Sequence, residues 1–483
     1  MPLVLRTWAQ AALAAGLAVS VSLTIAFGAL PFAAMAVAGV FFVRLLLAGT
    51  WPILMVWIIG IPTVFVFINN LLIGVPFLKA DRAAFVLATA LVMLRMLFKR
   101  GPLLPFDAVE RAIWAMLGLF TVSLLLGVRG KELADFVKLD VSYLLDGYAM
   151  PFLAYIVVRR CEWTERRVFT FLALLALVGA FLTVTAVFQL YAGVTLFQPE
   201  YAPVLHLREA RATGVFTGAV ELGAVAATCL LATGALRYGA RTVLVRTVLA
   251  IVMAMVLGAV LLSKTRAVWL GMFVSLAFLY LHDVRGRPLM NLMAAAGGLA
   301  ALVVLPLVLD IDKLSSRVMD LVPIYNRLAA WATAVNMSMQ NPLGVGLSRN
   351  GFGDARDAYL VSFGPVSSLW GAEVNVPHNE FLNILALTGI AGLVLYVTVL
   401  VRMYRTLMEI WARHALPLRI RTLALHAAAA LVGVVVNGLF VDLGKVEYLY
   451  VLLFALAGVA KVASSMEFSG SGASQIGQPG SAI

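Results

Sequence analysis

His378 stands at the end of a long polar segment, in the run Val376-Pro377-His378-Asn379-Glu380-Phe381-Leu382, and an apolar stretch begins directly after it. A neutral imidazole near pH 7 accepts a proton from a hydroxyl. Nearby arginines depress its pKa and keep it neutral, the state a general base needs. Arg211, Lys264, Arg266 and Arg327 are candidate neighbours, with Asn379 beside the histidine. Guanidinium groups grip phosphate bidentately and stabilise a departing phosphate without a metal. The chemistry this set suits is attack by a hydroxyl on a phosphate-activated donor.

Each residue also has a plainer role. A lone histidine is often structural. Arg211 suits a solvated interface or a pair with Glu209, and Lys264 and Arg266 suit snorkelling beside Trp269. Arg327 and Trp331 are four apart, one face of a helix. The run Asn341-Pro342-Leu343-Gly344-Val345-Gly346 reads as a turn, either structural or facing a ligand. Glu221 lies inside an apolar span, where a carboxylate needs a partner. That partner is an arginine of the site, the acceptor, or a structural ion pair. Asp310-Ile311-Asp312 could hold a divalent ion, but Lys313 offsets the charge and three residues are a weak signal. No metal and no cofactor is expected.

The elements that position these residues are membrane helices. Of 483 residues 63% are hydrophobic and 12% charged, against about half and about a quarter in soluble domains. The chain is therefore an all-α polytopic membrane protein, with the bilayer as its main solvent. Apolar windows begin near residues 9, 31, 52, 83, 111, 142, 168, 216, 243, 266, 289, 380, 422 and 446, which predicts about 12–14 transmembrane helices of ~20 residues each. The first is an uncleaved helix rather than a signal peptide, because its apolar run is too long. Cys161 and Cys229 form no disulfide framework. No repeat is evident. The chain divides into N-terminal helices (1–200), helices carrying arginine motifs (201–309), one large polar loop (310–379), C-terminal helices (380–463) and a Gly/Ser-rich disordered tail (464–483).

Sidedness follows from charge. Arg6 and Arg44, Lys99 and Arg100, Arg159 to Arg167, Arg237 to Arg246, Arg285 and Arg287, and Arg402 to Arg421 all fall on one side if the N-terminus is cytoplasmic. The loop with Arg129, Lys131 and Lys138 breaks the pattern. A net charge of +12 thus reports topology, with no nucleic-acid partner implied. The loop ending at Arg208–Arg211, the turn Ser263–Arg266, the large loop and the short Asp442–Glu447 turn lie outside. Cations there need a local reason, and an anionic ligand is one. No nucleotide-sugar supply is assumed on that face, so a lipid pyrophosphate is the natural donor.

Val376-Pro377-His378-Asn379-Glu380-Phe381-Leu382 with Leu387-Thr388-Gly389-Ile390-Ala391-Gly392 resembles the C-terminal signature of the O-antigen ligase and Wzy-type polymerase superfamily. Arg327…Trp331…Asn341–Gly346 resembles its preceding segment. Arg211-Ala212-Thr213-Gly214-Val215-Phe216 and Thr265-Arg266-Ala267-Val268-Trp269 resemble its two arginine motifs. The resemblance implies a GT-C-like, metal-independent glycosyltransferase of the bacterial inner membrane with its site facing the periplasm. It implies an undecaprenyl-diphosphate-linked glycan donor, gripped by Arg211 and Arg266, and His378 activating the acceptor hydroxyl. Many members have an Asn-Pro-Asn-like turn where this chain has Thr217–Gly223.

Polymerisation of O-antigen or exopolysaccharide repeat units is preferred, from chain length and the lost turn. Ligation to lipid A-core and protein O-glycosylation use the same residues. A lipid-linked sugar transporter is the reading from another class. It calls for broken helices and ionisable groups at mid-membrane, and most charges here sit at span ends.

Overall fold

The computed structural model describes residues 49–65, 79–98, 105–127, 132–193, 211–283, 322–361 and 376–466, with Arg287 and Asn291. Its elements are α1 (Thr50–Gly60), α2 (Ala80–Leu97), α3 (Ala108–Leu126), α4 (Leu133–Arg160), α5 (Glu165–Ala192), α6 (Ala219–Gly239), α7 (Val243–Leu262) and α8 (Arg266–His282). They continue with α9 (Val322–Gln340), α10 (Gly351–Tyr359), α11 (Glu380–Ala412), α12 (Leu418–Gly438) and α13 (Glu447–Ala463). Among the described residues there is no strand. Among the described residues seven helices (α3, α4, α5, α6, α7, α11 and α12) are long and apolar enough to cross a membrane, and two apolar ones are shorter. The polytopic all-α expectation is met. The spans expected from residues 9 and 31, Asp310–Lys313, Arg208 and Glu209, and residues 467–483 lie outside the described residues, as does most of the span expected from 289.

The bundle has two chemically distinct ends. One, here the arginine end, begins α3 with a capping box in which Asp107 accepts from the Glu110 amide at 2.9 Å and Glu110 returns the bond. Glu110 is fully buried and takes both Arg159 and Arg160 from α4, with Arg159 also 3.0 Å from Asp107. Arg159 and Arg160 are therefore buried ion-pair partners tying α4 to α3. Arg237, Arg246 and Arg421 donate to backbone carbonyls of the same end, and the acceptors of Arg246 and Arg421, Ala240 O and Trp411 O, lie at helix C-termini.

At the opposite end Arg82 of α2 forks onto Asp146 of α4, at 2.7 and 2.6 Å, with Lys79 adding a contact at 2.8 Å. In the middle, α13 lies along α4 through Phe152 on Phe454 at 4.3 Å. The Ser275 hydroxyl of α8 donates to Ala429 O of α12 at 2.8 Å, an interhelical bond suited to a water-free setting.

α11 is 33 residues long, about 50 Å at 1.5 Å per residue. It is not continuous. Gly389 has φ 71° and ψ −172°, a conformation open essentially to glycine alone. The carbonyls this break releases are taken up by the 341–347 turn: Val345 N–H donates to Ala386 O and Gly346 N–H to Leu387 O, both at 3.0 Å. Ser123 of α3 adds a bond to Leu387 O at 3.0 Å and accepts from Leu347 N–H. Ile390 N–H finds Pro342 O at 3.2 Å. Residues 390–412 alone are long enough to span. The helical turns before the break therefore stand apart from the span, carrying His378 with them.

A Cβ at Gly389 would collide with the Pro342 carbonyl. Gly389→Ala is expected to cost about 3 kcal/mol, lowering the melting temperature in detergent by several degrees. Gly118→Ala, whose Cβ meets nothing within 4 Å, leaves it unchanged or raises it slightly. Equal melting of both variants would contradict this account of the break.

Candidate active site

His378 is set in place from three directions. Trp331 of α9 donates its indole N–H to Pro377 O at 2.9 Å, and Arg327 lies one turn earlier on the same helix. Asn379 caps α11, accepting from Leu382 N–H at 3.1 Å and donating to Leu439 O at 3.1 Å. Its own amide donates to Asp442 Oδ1 at 3.2 Å. These contacts hold His378 at φ 48°. Among the described residues only His378 and Lys264 are non-glycines with positive φ, and both are candidate site residues. Such strained backbone persists where its surroundings over-determine it, and it clusters at functional sites.

The imidazole Nδ1 lies 3.8 Å from Asp442 Oδ2, the histidine side chain 50% exposed and the aspartate 5%. That is an ion-pair separation rather than a hydrogen bond. Burial pushes His378 below the ordinary imidazole value. Arg327 and Lys445 push the same way and Asp442 opposes them. Burial raises Asp442 against His378, Lys445 and the backbone N–H groups of Asn379 and His378. Lys445 is itself pushed down by burial and by Arg349. Arg349 is placed by Asp140, which accepts from its amide at 3.2 Å and from the Ser348 hydroxyl at 2.8 Å. The arrangement is a half-exposed imidazole with a buried carboxylate behind it and cations around it.

Arg211, Lys264 and Arg266 form a second group. Ala212 N–H donates to Leu262 O at 3.1 Å, joining the Arg211 loop to the turn that carries Lys264 and Arg266. Gln189 of α5 fixes that loop: its Oε1 accepts from the amides of Thr213 and Gly214 at 2.8 and 2.9 Å, and its Nε2 donates to Thr213 Oγ1 at 2.9 Å. Arg266 is exposed, while Arg211 and Lys264 are half-buried. Thr265 is nearly buried, donating to Ser263 O at 3.0 Å.

The 442–448 segment touches both groups, at His378 through Asp442 and at the Arg211 loop through Tyr448, whose ring stacks on Phe216 at 6.1 Å. Glu221 lies on this border. It accepts from the Tyr448 amide and faces Lys79 and Glu447. In the Thr217–Gly223 stretch Gly218 is extended and α6 begins at Ala219, so a helix N-terminus stands there.

Asp442, Lys445, Arg349 and Gln189 were not singled out from sequence. Asp442 is 64 positions from His378; the available signal was an acidic residue in a short turn on the same side as the histidine. Among the described residues no group of three or more His, Cys, Asp or Glu could hold a metal. Both cysteines are buried and unbridged.

Residues 250–397 match the family model described as O-antigen ligase. That interval runs from α7 through the Lys264–Arg266 turn, α9, the 341–347 turn and His378 to beyond the break in α11. No curated protein matches the chain.

Gln189→Ala removes the acceptor of two loop amides. At about 1 kcal/mol per bond, hydrogen exchange at 212–216 is expected to quicken by roughly 30-fold, with α6 protection unchanged. Unchanged exchange in the loop would show that Gln189 does not hold it.

Proposed function

We propose that the chain, whose residues 250–397 match the O-antigen ligase family model, transfers a glycan from an undecaprenyl-diphosphate donor to an acceptor hydroxyl on the periplasmic face of the inner membrane. The observation that carries this reading is His378, held at positive φ and half-exposed, with Asp442 buried behind its Nδ1 and Arg327 and Lys445 beside it. Nε2 takes the proton as the acceptor oxygen bonds to the anomeric carbon of the donor. The bond from that carbon to the diphosphate breaks, and the lipid diphosphate leaves. Asp442 stabilises the imidazolium that forms. Arg211 and Arg266, with Lys264, bind the diphosphate and offset its charge; Arg327 and Asn379 complete the histidine side of the site. No step requires a metal. Glu221, on the border of the two groups, is suited to an acceptor hydroxyl.

The broken helix α11 is a feature that would favour a transporter. Its backbone groups are bonded to the 341–347 turn and Ser123 rather than lining a path, which supports the transferase. The helix start in place of the Asn-Pro-Asn-like turn that the resemblance implies favours polymerisation of O-antigen or exopolysaccharide units over ligation to lipid A-core.

The test supplies purified protein with lipid-diphosphate glycan and candidate acceptors, and follows lipid diphosphate release and product size. His378→Ala is expected to lose about 10²–10⁴ of turnover while still binding donor. In wild type, turnover is lost as pH falls through a midpoint below the ordinary imidazole value of about 6.5, because protonated His378 cannot act as base. A product ladder identifies a polymerase and a single lipid A-core adduct a ligase. Near-normal turnover by His378→Ala would overturn the assignment.

A further inference from the structure

Glu380 follows His378 by two residues and is completely buried. Its Oε1 accepts from the Tyr148 hydroxyl at 3.0 Å, and its Oε2 accepts from Gly444 N–H at 3.0 Å. Asp442, two residues before Gly444, accepts from Asn379 N–H. The segments 378–380 and 442–444 are thus laced by two reciprocal bonds, each from a backbone amide of one to a carboxylate of the other.

The lacing rests on an aromatic floor. Tyr148 is fully buried, edge-on to Phe120 at 5.0 Å and to Tyr143 at 5.5 Å. Its hydroxyl is 3.2 Å from that of Tyr143, which accepts from Asn383 Nδ2 at 3.1 Å. Gly444 lies directly on this floor, since a Cβ there would stand 2.7 Å from the Tyr148 oxygen and 3.0 Å from that of Tyr143. Burying a carboxylate is expensive, and well-packed apolar side chains often hold a turn as well or better. What the carboxylate adds is a fixed geometry: the height of the 442–444 turn above the tyrosines, and so the place of Asp442 Oδ2 behind the imidazole.

We infer that Glu380, braced by Tyr148, is a positioning residue for the His378–Asp442 pair, acting through the Gly444 amide rather than on substrate. The inference rests on the reading of His378 as the base.

The test is a double-mutant cycle on the full-length protein in the same transfer assay, with folding followed by melting and size exclusion. Glu380→Ala is expected to lower kcat by about 10- to 100-fold, the range seen when outer-shell supports of an active group are removed, with KM for donor within about threefold. Glu380→Gln keeps an acceptor for Gly444 and recovers most of the rate. In the Asp442→Ala background, Glu380→Ala should cost little further, because both act through one contact. The groups facing His378 are Asp442 and Lys445 from the turn and Arg327 from α9. Withdrawing Asp442 leaves burial and the two cations, so the acid limb of kcat in Glu380→Ala moves to lower pH, which a general loss of folded protein would not produce. If Glu380→Ala does not accumulate, Tyr148→Phe takes its place in the cycle, and its cost is again expected to vanish without Asp442. Costs that multiply across the cycle, a loss confined to KM, or an unmoved acid limb would overturn the proposal. An active His378→Ala, assayed alongside, would instead show that the base assignment itself is wrong.

Discussion

A helix in a membrane cannot leave backbone groups unpaired, because no water is there to bond them. The break at Gly389 releases Ala386 O and Leu387 O, and the 341–347 turn and Ser123 bind them. This fixes the polar loop to the bundle. The loop's helix α9 then reaches over His378 through Trp331, bringing Arg327 with it. Two sequence segments forty residues apart, each plain on its own, are halves of one joint. The geometry of the histidine depends on that joint at one side and on the Asp442–Gly444 turn at the other.

Charge is handled differently at the two ends. At the arginine end, buried acids face the arginines directly: Glu110 binds Arg159 and Arg160 together. The histidine end keeps such a pair too, Arg82 on Asp146, but around His378 itself Arg327 and Lys445 face the imidazole, with Arg349 near Lys445, while the nearby acids are engaged elsewhere. Asp140 orders the Ser348–Arg349 corner, Glu380 holds Gly444, and Asp442 backs the histidine. Clustered cations with buried acids committed to backbone amides make a face that attracts an anion from solution, which suits the diphosphate donor we propose.

Much of the helix order was legible in the sequence. Starts near 243, 266 and 380 coincide with α7, α8 and α11, because a Thr or Asn cap or a polar turn stands directly before each. The start near 142 was late. α4 begins at Leu133 through a segment containing Asp135, Lys138 and Asp140, whose charges hide an apolar face and whose backbone is partly π-helical. The Arg327–Trp331 spacing and the arginine motifs were readable as local patterns. The pairing of His378 with Asp442 was not, since one sequence carries no record of which distant residues meet. Nothing in the sequence set Glu380 apart from the rest of the run after His378, because burial is a property of the packing around it.

The central claim is direct attack by an acceptor oxygen, activated by His378, on the anomeric carbon of a lipid diphosphate. The anomeric configuration of the bond made by the wild-type protein tests it most directly, read by NMR on product formed from a donor of defined configuration. A single displacement with no enzyme nucleophile gives inversion. A product that retains the donor's configuration would contradict the account, because it would require a covalent glycosyl intermediate that the site as described does not provide.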